Sequence, residues 1–215
     1  MQQRAHRLLL QVSLHLPHAT TRRGSKLGAS LAAALLVCAC TYVLTFAVAT
    51  APAASATQPC KGANLYPTAA NVVAVDAATL CIVNQVRLAY GLRPLRINRE
   101  LGHVASSQVT SMVTRDYFAD DRPTGQTPLS LVAVTRYPAH AAQFAVGENI
   151  AWGTGKFTTP AHIVDEWMAS PPHREILLSA PYRDVGVAVT PAVPAVLNAS
   201  HRGATYALEL GMRLF

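Results

Sequence analysis

AVGENIAWGTG, Ala145–Gly155, sets one carboxylate, Glu148, into a run that otherwise reads apolar and glycine-rich. Val146, Glu148, Ile150 and Trp152 alternate with Gly147, Asn149, Ala151 and Gly153, the period-two pattern of a β-strand. On that period Glu148 shares a face with Val146, Ile150 and Trp152. A carboxylate on an apolar strand face needs a partner, because taking an ionised group out of water alone is costly. The elements that close over this strand therefore have to supply one.

Working outward, helix and strand signals alternate irregularly. Asp76 precedes AATLCIVNQVRLAYG, in which Leu80, Ile82, Val83, Val86 and Tyr90 recur at helical spacing; this places Asp76 as the cap and Gly91 as the stop. Asn98 opens a second helix with Leu101, Val104, Ala105, Val109, Met112 and Val113 along one face. FADDRPTG, from Phe118, reads as a loop whose Asp120-Asp121-Arg122 make a solvated turn. Thr127-Pro128, Thr159-Pro160 and Ser170-Pro171 each put a hydroxyl before a proline, the signature of a helix start. In the helix after Thr159, Ile163 and Trp167 face the core, and Asp165 and Glu166 face solvent. DVGVAVT (Asp184–Thr190) and ATYALELGMRLF, to the end, return to period two, with PAVPAVLNASHRG linking them. Such an order predicts an α+β fold, a three-layer α-β-α sandwich around a small, largely antiparallel sheet. There is no glycine-rich phosphate loop and no G-x-S-x-G elbow.

A chain of 215 residues with 51% hydrophobic content holds one well-cored domain and an appended segment. The formal charge of +7 is unevenly spread. Residues 1–56 carry five basic and no acidic side chains, and the remainder balances thirteen Lys and Arg against eleven acids. Nucleic-acid binding calls for a basic face on the folded domain, often with stacking aromatics, and neither is visible. Instead Arg22, Arg23 and Lys26 precede an uncharged run from Leu27 to Thr50, and small residues follow to Ala54-Ser55-Ala56. That order is a secretory signal with cleavage after Ala56; the apolar run is also long enough to remain as a membrane anchor. Either outcome puts the domain outside the cytoplasm, with membrane contact only through this segment. Residues 57–75 read as an extended lead-in and 76–215 as the domain. Cys60 and Cys81 are the only cysteines past the leader, and an isolated pair in an oxidising compartment reads as a disulfide.

Several segments match one family in type and order. LCIVNQVRLAYGLRPLRINREL, YFADDRPTGQTP, GENIAWG, IVDEWMASPPHREILLSAPYRDVGVAV and TYALELG together resemble bacterial CAP-superfamily domains, the SCP-like group related to cysteine-rich secretory proteins, antigen 5 and plant pathogenesis-related proteins. The resemblance implies an α-β-α sandwich with a cleft lined by His and acidic residues, which in many members are two His and two Glu able to hold a divalent metal. Carried over, Glu148 is the Glu of G-E-N and His173 the His of S-P-x-H-R. Asp120 stands where bacterial members usually have His, and Ser170 where eukaryotic members have the second Glu.

The cleft chemistry follows from these residues. Ser170 caps a short helix, Pro171 takes its first position, and His173 falls in the first turn, where the helix dipole disfavours imidazolium. A neutral imidazole within reach of Glu148, directly or through one water, would give that carboxylate its partner. Three roles fit: a structural lock; a weak divalent-metal or small-ligand site of Glu148, His173 and Asp120; or an acid–base pair. Trp152 is a candidate cleft wall. The expectation is an exported binding protein, with lipid, sterol or cell-envelope material as the ligand class that the family resemblance implies. A metal-dependent hydrolase of envelope polymer or protein, and a structural interaction module, are the alternatives.

Overall fold

The computed structural model describes residues 59–199 and 202–215. The leader with its cleavage site, Cys38, Cys40 and His201 lie outside them. In chain order the elements are α1 (Val72–Ala89), β1 (Arg96–Ile97), α2 (Arg99–Thr114), α3 (Pro128–Ala133), β2 (Gln143–Thr154), α4 (Pro160–Ala169), α5 (Pro171–Leu177), β3 (Asp184–Thr190) and β4 (Gly203–Leu214). The strands form one sheet in the order β1-β3-β4-β2. β4 pairs antiparallel with β2 on one side and with β3 on the other, and the two-residue β1 adds a parallel edge.

Side-chain alternation sends the sheet's two faces into different cores. Ile150, Ala188 and Ala207 pack with Ala105, Val109 and Met112 of α2, while Phe144 and Val146 meet Leu131, Val132 and Tyr137 at α3. On the opposite face Val185, Val189, Tyr206, Leu208 and Leu210 pack with Val75 and Val83 of α1 and with Ile163, Val164 and Trp167 of α4. The result is the three-layer α-β-α sandwich.

The capping reading holds at most helix starts. Asn98 Oδ1 accepts from the amides of Glu100 and Leu101 at 3.0 and 3.3 Å, Thr127 Oγ1 from Ser130 at 3.1 Å, and Thr159 Oγ1 from His162 at 3.4 Å. Gly91, at φ +70°, ends α1 in the left-handed conformation that glycine adopts without strain. Asp76 is a correction. α1 begins at Val72, with Asn71 as its N-terminal flanking residue. Asn71 closes the preceding turn by accepting from the Thr68 amide at 2.7 Å and donating to the Tyr66 carbonyl at 3.0 Å. Asp76 thus falls inside the helix, where burial raises its carboxyl pKa to about 7 against a backbone hydrogen bond from Val189.

Two covalent and polar ties fasten α1. The Cys60–Cys81 disulfide forms, with Cα atoms 5.8 Å apart, and joins the lead-in to the helix. Arg87, which no sequence signal had singled out, is fully buried. Its guanidinium donates to four main-chain carbonyls: Arg93 at 3.1 Å, Leu177 at 2.6 Å, Ser179 at 3.1 Å and Tyr182 at 3.3 Å. The end of α1 is thereby clamped to the chain leaving α5.

Candidate functional site

Glu148 lies mid-way along β2, and the residue directly across from it on β4 is Glu209. Across β4 on the other side, opposite Glu209, is Gly186 of β3. All three share the α2 face of the sheet, set by the same alternation that directs Ile150, Ala207 and Ala188 there. A Cβ at Gly186 would fall on the main chain at Leu101 and Gly102, so the bare glycine lets the start of α2 settle onto the sheet. The two carboxyls beside it are sealed, with Glu148 4% and Glu209 0% exposed.

Cross-strand neighbours in an antiparallel pair hold their Cβ atoms about 4.5–5.5 Å apart. Among the described residues, none outside the pair donates a hydrogen bond to its four carboxyl oxygens. Two ionised carboxylates cannot bond each other, because neither has a proton to donate. Burial first, and then the negative charge of Glu209, hold the Glu148 carboxyl well above the usual range. Burial raises Glu209 to about 7, although a hydrogen bond with Glu148 pulls it down. Asp120 adds to the rise in both, and Arg122 opposes it.

The loop bearing Asp120 and Arg122 is stitched to α2. Gln108, fully buried, donates through Nε2 to the carbonyls of Ala119 and Asp120 at 3.1 and 2.9 Å. Its Oε1 accepts from Arg122 Nε at 3.0 Å, and Arg122 Nη2 donates to Ser107 Oγ at 2.8 Å. Only Asp121 of this triplet is exposed, so the turn is anchored where the sequence reads it as solvated.

His173 belongs to another arrangement. Its Nδ1 lies 2.8 Å from Ser170 Oγ, and its carbonyl accepts from Asn149 Nδ2 at 3.0 Å. Ser170 does stand at the start of α5, but its hydroxyl goes to the imidazole and makes no capping bond to the main chain. Burial lowers the His173 pKa and favours the neutral ring. The direct Glu148–His173 hydrogen bond expected above is not formed. Successive strand residues point to opposite faces, and Asn149, not Glu148, is the residue that reaches α5.

Among the described residues no three His, Cys, Asp or Glu side chains converge on a metal-sized point. Glu148, His173 and Asp120 are therefore not gathered as a metal set: the imidazole is turned to Ser170, and Glu148 faces Glu209. None of the three is assigned as a metal ligand. Trp152, 39% exposed, lies four residues along β2 from Glu148, about 13 Å at ordinary strand rise, and does not wall the buried pair.

A second feature lies on the outer side of α2. His103, Ser106, Ser107, Thr110, Ser111 and Thr114 recur every three or four residues and, with Arg115 and Arg122, line an open groove of about 420 Å³. Among the described residues no carboxylate lines it. Arg122 belongs to both features, bordering the groove and lying close enough for its charge to act on Glu148 and Glu209.

Comparison with known proteins places this geometry. Residues 80–192, more than half of the chain, match the model of the Cysteine-rich secretory protein family, CAP. The chain belongs to the CAP family. Glu148, His173 and the groove lie within the matched span, and Glu209 lies beyond it. The Bacillus subtilis (strain 168) protein YkwD is 30% identical over 117 residues, covering 54% of this chain and 43% of YkwD, so the chain spans less than half of that relative. An outer surface protein of Borrelia burgdorferi shares the fold at 18% identity and a TM-score of 0.50, over 62% of this chain and 89% of its own. An SCP-domain extracellular protein of Bacillus anthracis str. Ames aligns at 22% identity and a TM-score of 0.48, over 66% of this chain and 40% of its own.

Proposed function

We propose that this CAP domain acts outside the cytoplasm as a binding protein for hydrophilic, acidic cell-envelope material, taken into the groove on α2. The observation that carries the reading is the composition of that groove: five hydroxyl side chains, one imidazole and two guanidiniums, with no opposing carboxylate among the described residues. Guanidiniums recognise carboxylate and phosphate groups through paired donors, and hydroxyls bond polyols. A lipid or sterol would call for an apolar lining, so among the envelope ligands the groove favours the polar ones. Hydrolysis is the less favoured reading, because Glu148 and Glu209, the acidic pair nearest to a catalytic arrangement, are sealed beneath α2. Export is supported by the charged, apolar and small-residue order of the leader and by the Cys60–Cys81 disulfide.

The test is calorimetric titration with a soluble acidic polysaccharide, and in parallel with sterol-containing vesicles. The reading expects saturable binding to the polysaccharide, weakened about tenfold or more in Arg115→Ala/Arg122→Ala through loss of charge-assisted hydrogen bonds. Binding to the vesicles alone would replace it with the lipid reading.

A further inference from the structure

We propose that Glu148 and Glu209 hold one proton between them, as a carboxylic acid donating to a carboxylate, and that this shared proton fastens β2 to β4 until alkaline solution removes it. The proposal stands apart from the groove reading. It starts from register: the two side chains are direct partners on neighbouring antiparallel strands, point to the same face and are sealed from water. Among the described residues, none outside the pair supplies a donor to their four oxygens. An oxygen so placed is satisfied only by a proton on its neighbour, and one proton gives the pair one strong hydrogen bond. Like-charged carboxylates side by side cannot both ionise cheaply, which agrees with the upward shift of both groups.

The surroundings contain little that would alter this. The buried positions of α2 are Leu101, Val104, Ala105, Gln108, Val109, Ser111 and Met112, none of them charged. β3 contributes Gly186, which has no side chain. The charged groups acting on the pair are Asp120, which favours the proton, and Arg122, which favours its release. Tyr182, from the segment before β3, feels the charge of Glu209 and is itself held protonated by burial. From the far layer, His173 is turned to Ser170.

The location gives the proton its structural consequence. Among the described residues β2 has a strand neighbour only on its β4 side, and Glu148 sits near the middle of that twelve-residue ladder. Loss of the proton to solvent base leaves two buried negative charges facing across that ladder, which only separation or hydration relieves. β3, held between β1 and β4, carries no such pair.

The test uses the full protein with carboxyl carbons of glutamate ¹³C-labelled. Two resonances, assigned by their loss in Glu148→Gln and Glu209→Gln, should titrate together well above the ordinary glutamate value of 4.5. Arg122→Gln should move that titration higher still. Hydrogen exchange, corrected for intrinsic rates, should show residues 143–154 losing protection about tenfold or more between pH 6 and 9, relative to 184–190; that factor is the equivalent of one charge-assisted hydrogen bond. Glu209→Gln, whose amide supplies a donor at every pH, should abolish the differential loss. Two carboxyls both ionised at pH 6 would overturn the proposal, as would a stoichiometric divalent ion whose chelation loosens β2. Equal loss of protection in both strands would overturn the fastening. If the variants fail to fold, wild-type resonances that remain protonated at pH 6 and titrate in concert uphold the shared proton, and ordinary titration of every glutamate refutes it.

Discussion

Replacing Arg87 by Met should destabilise the domain by on the order of 3 kcal/mol, more than a typical single substitution. Methionine keeps most of the aliphatic stem, so the change isolates the guanidinium. Arg87 donates to four main-chain carbonyls, and its bonds to Leu177 at 2.6 Å and Tyr182 at 3.3 Å are buried. The bonds to Arg93 and Ser179 are partly buried, and water can replace the guanidinium there. Each stranded buried acceptor costs about 1–3 kcal/mol, or about 2–6 kcal/mol for the pair. Removing a buried cation returns part of that, since burial, and secondarily the charge of Arg183, already disfavours the charged form. Arg87→Lys should fall between, because one ammonium cannot span the positions of a planar fork. Urea denaturation at pH 7, with an unchanged denaturant slope, measures the loss directly. A loss below about 1 kcal/mol for Arg87→Met would refute the idea that this clamp joins α1 to the end of α5.

Three further outcomes follow from individual contacts. Changing Cys60 and Cys81 both to Ala should cost about 3 kcal/mol by releasing the loop they close, read from the same denaturation curves. Asp76, whose carboxyl is raised from 3.8 to about 7, binds its proton more tightly when folded. Its contribution is therefore complete below pH 3.8 and declines as the pH rises through about 7. Asp76→Asn should remove that decline, and at pH 8 should exceed the wild type by on the order of 2–4 kcal/mol, allowing for partial solvent screening. Gly186→Ala should cost more than about 2 kcal/mol, because the new methyl meets backbone at Leu101 and Gly102; a stability within about 0.5 kcal/mol of wild type would show that α2 does not rest on the sheet there.

The readable parts of the sequence were those governed by local rules. Period-two alternation located β2, β3 and β4, and hydroxyl–proline pairs located the starts of α3, α4 and α5. The lone cysteine pair yielded the disulfide. Asp76 misled because aspartate is a strong capping residue, whereas α1 begins just after Asn71, five positions earlier, whose side chain closes the preceding turn and makes no capping bond to the helix. Glu209 was visible as an odd charge in TYALELG, with the same signal that drew attention to Glu148. Its pairing with Glu148 depends on which strands become neighbours and in what register, and neither is encoded locally. Family position favoured His173 as the partner, but the pleat turns Asn149 toward α5 and leaves Glu148 on the far side. The α2 groove was hidden for a different reason: the polar side of an amphipathic helix reads as a solvated face until Arg122, eight residues past the helix end, is seen folded back onto Ser107.

The central claim is that ligands meet this CAP domain at the α2 groove, while Glu148 serves from inside the sheet. The most direct measurement compares the affinity of the wild type, Arg115→Ala/Arg122→Ala and Glu148→Gln for one soluble acidic polysaccharide at pH 6. The account predicts about tenfold or greater weakening in the arginine variant, and an affinity within about twofold of wild type for Glu148→Gln. The opposite pattern, with binding abolished by Glu148→Gln and untouched by the arginine changes, would contradict it.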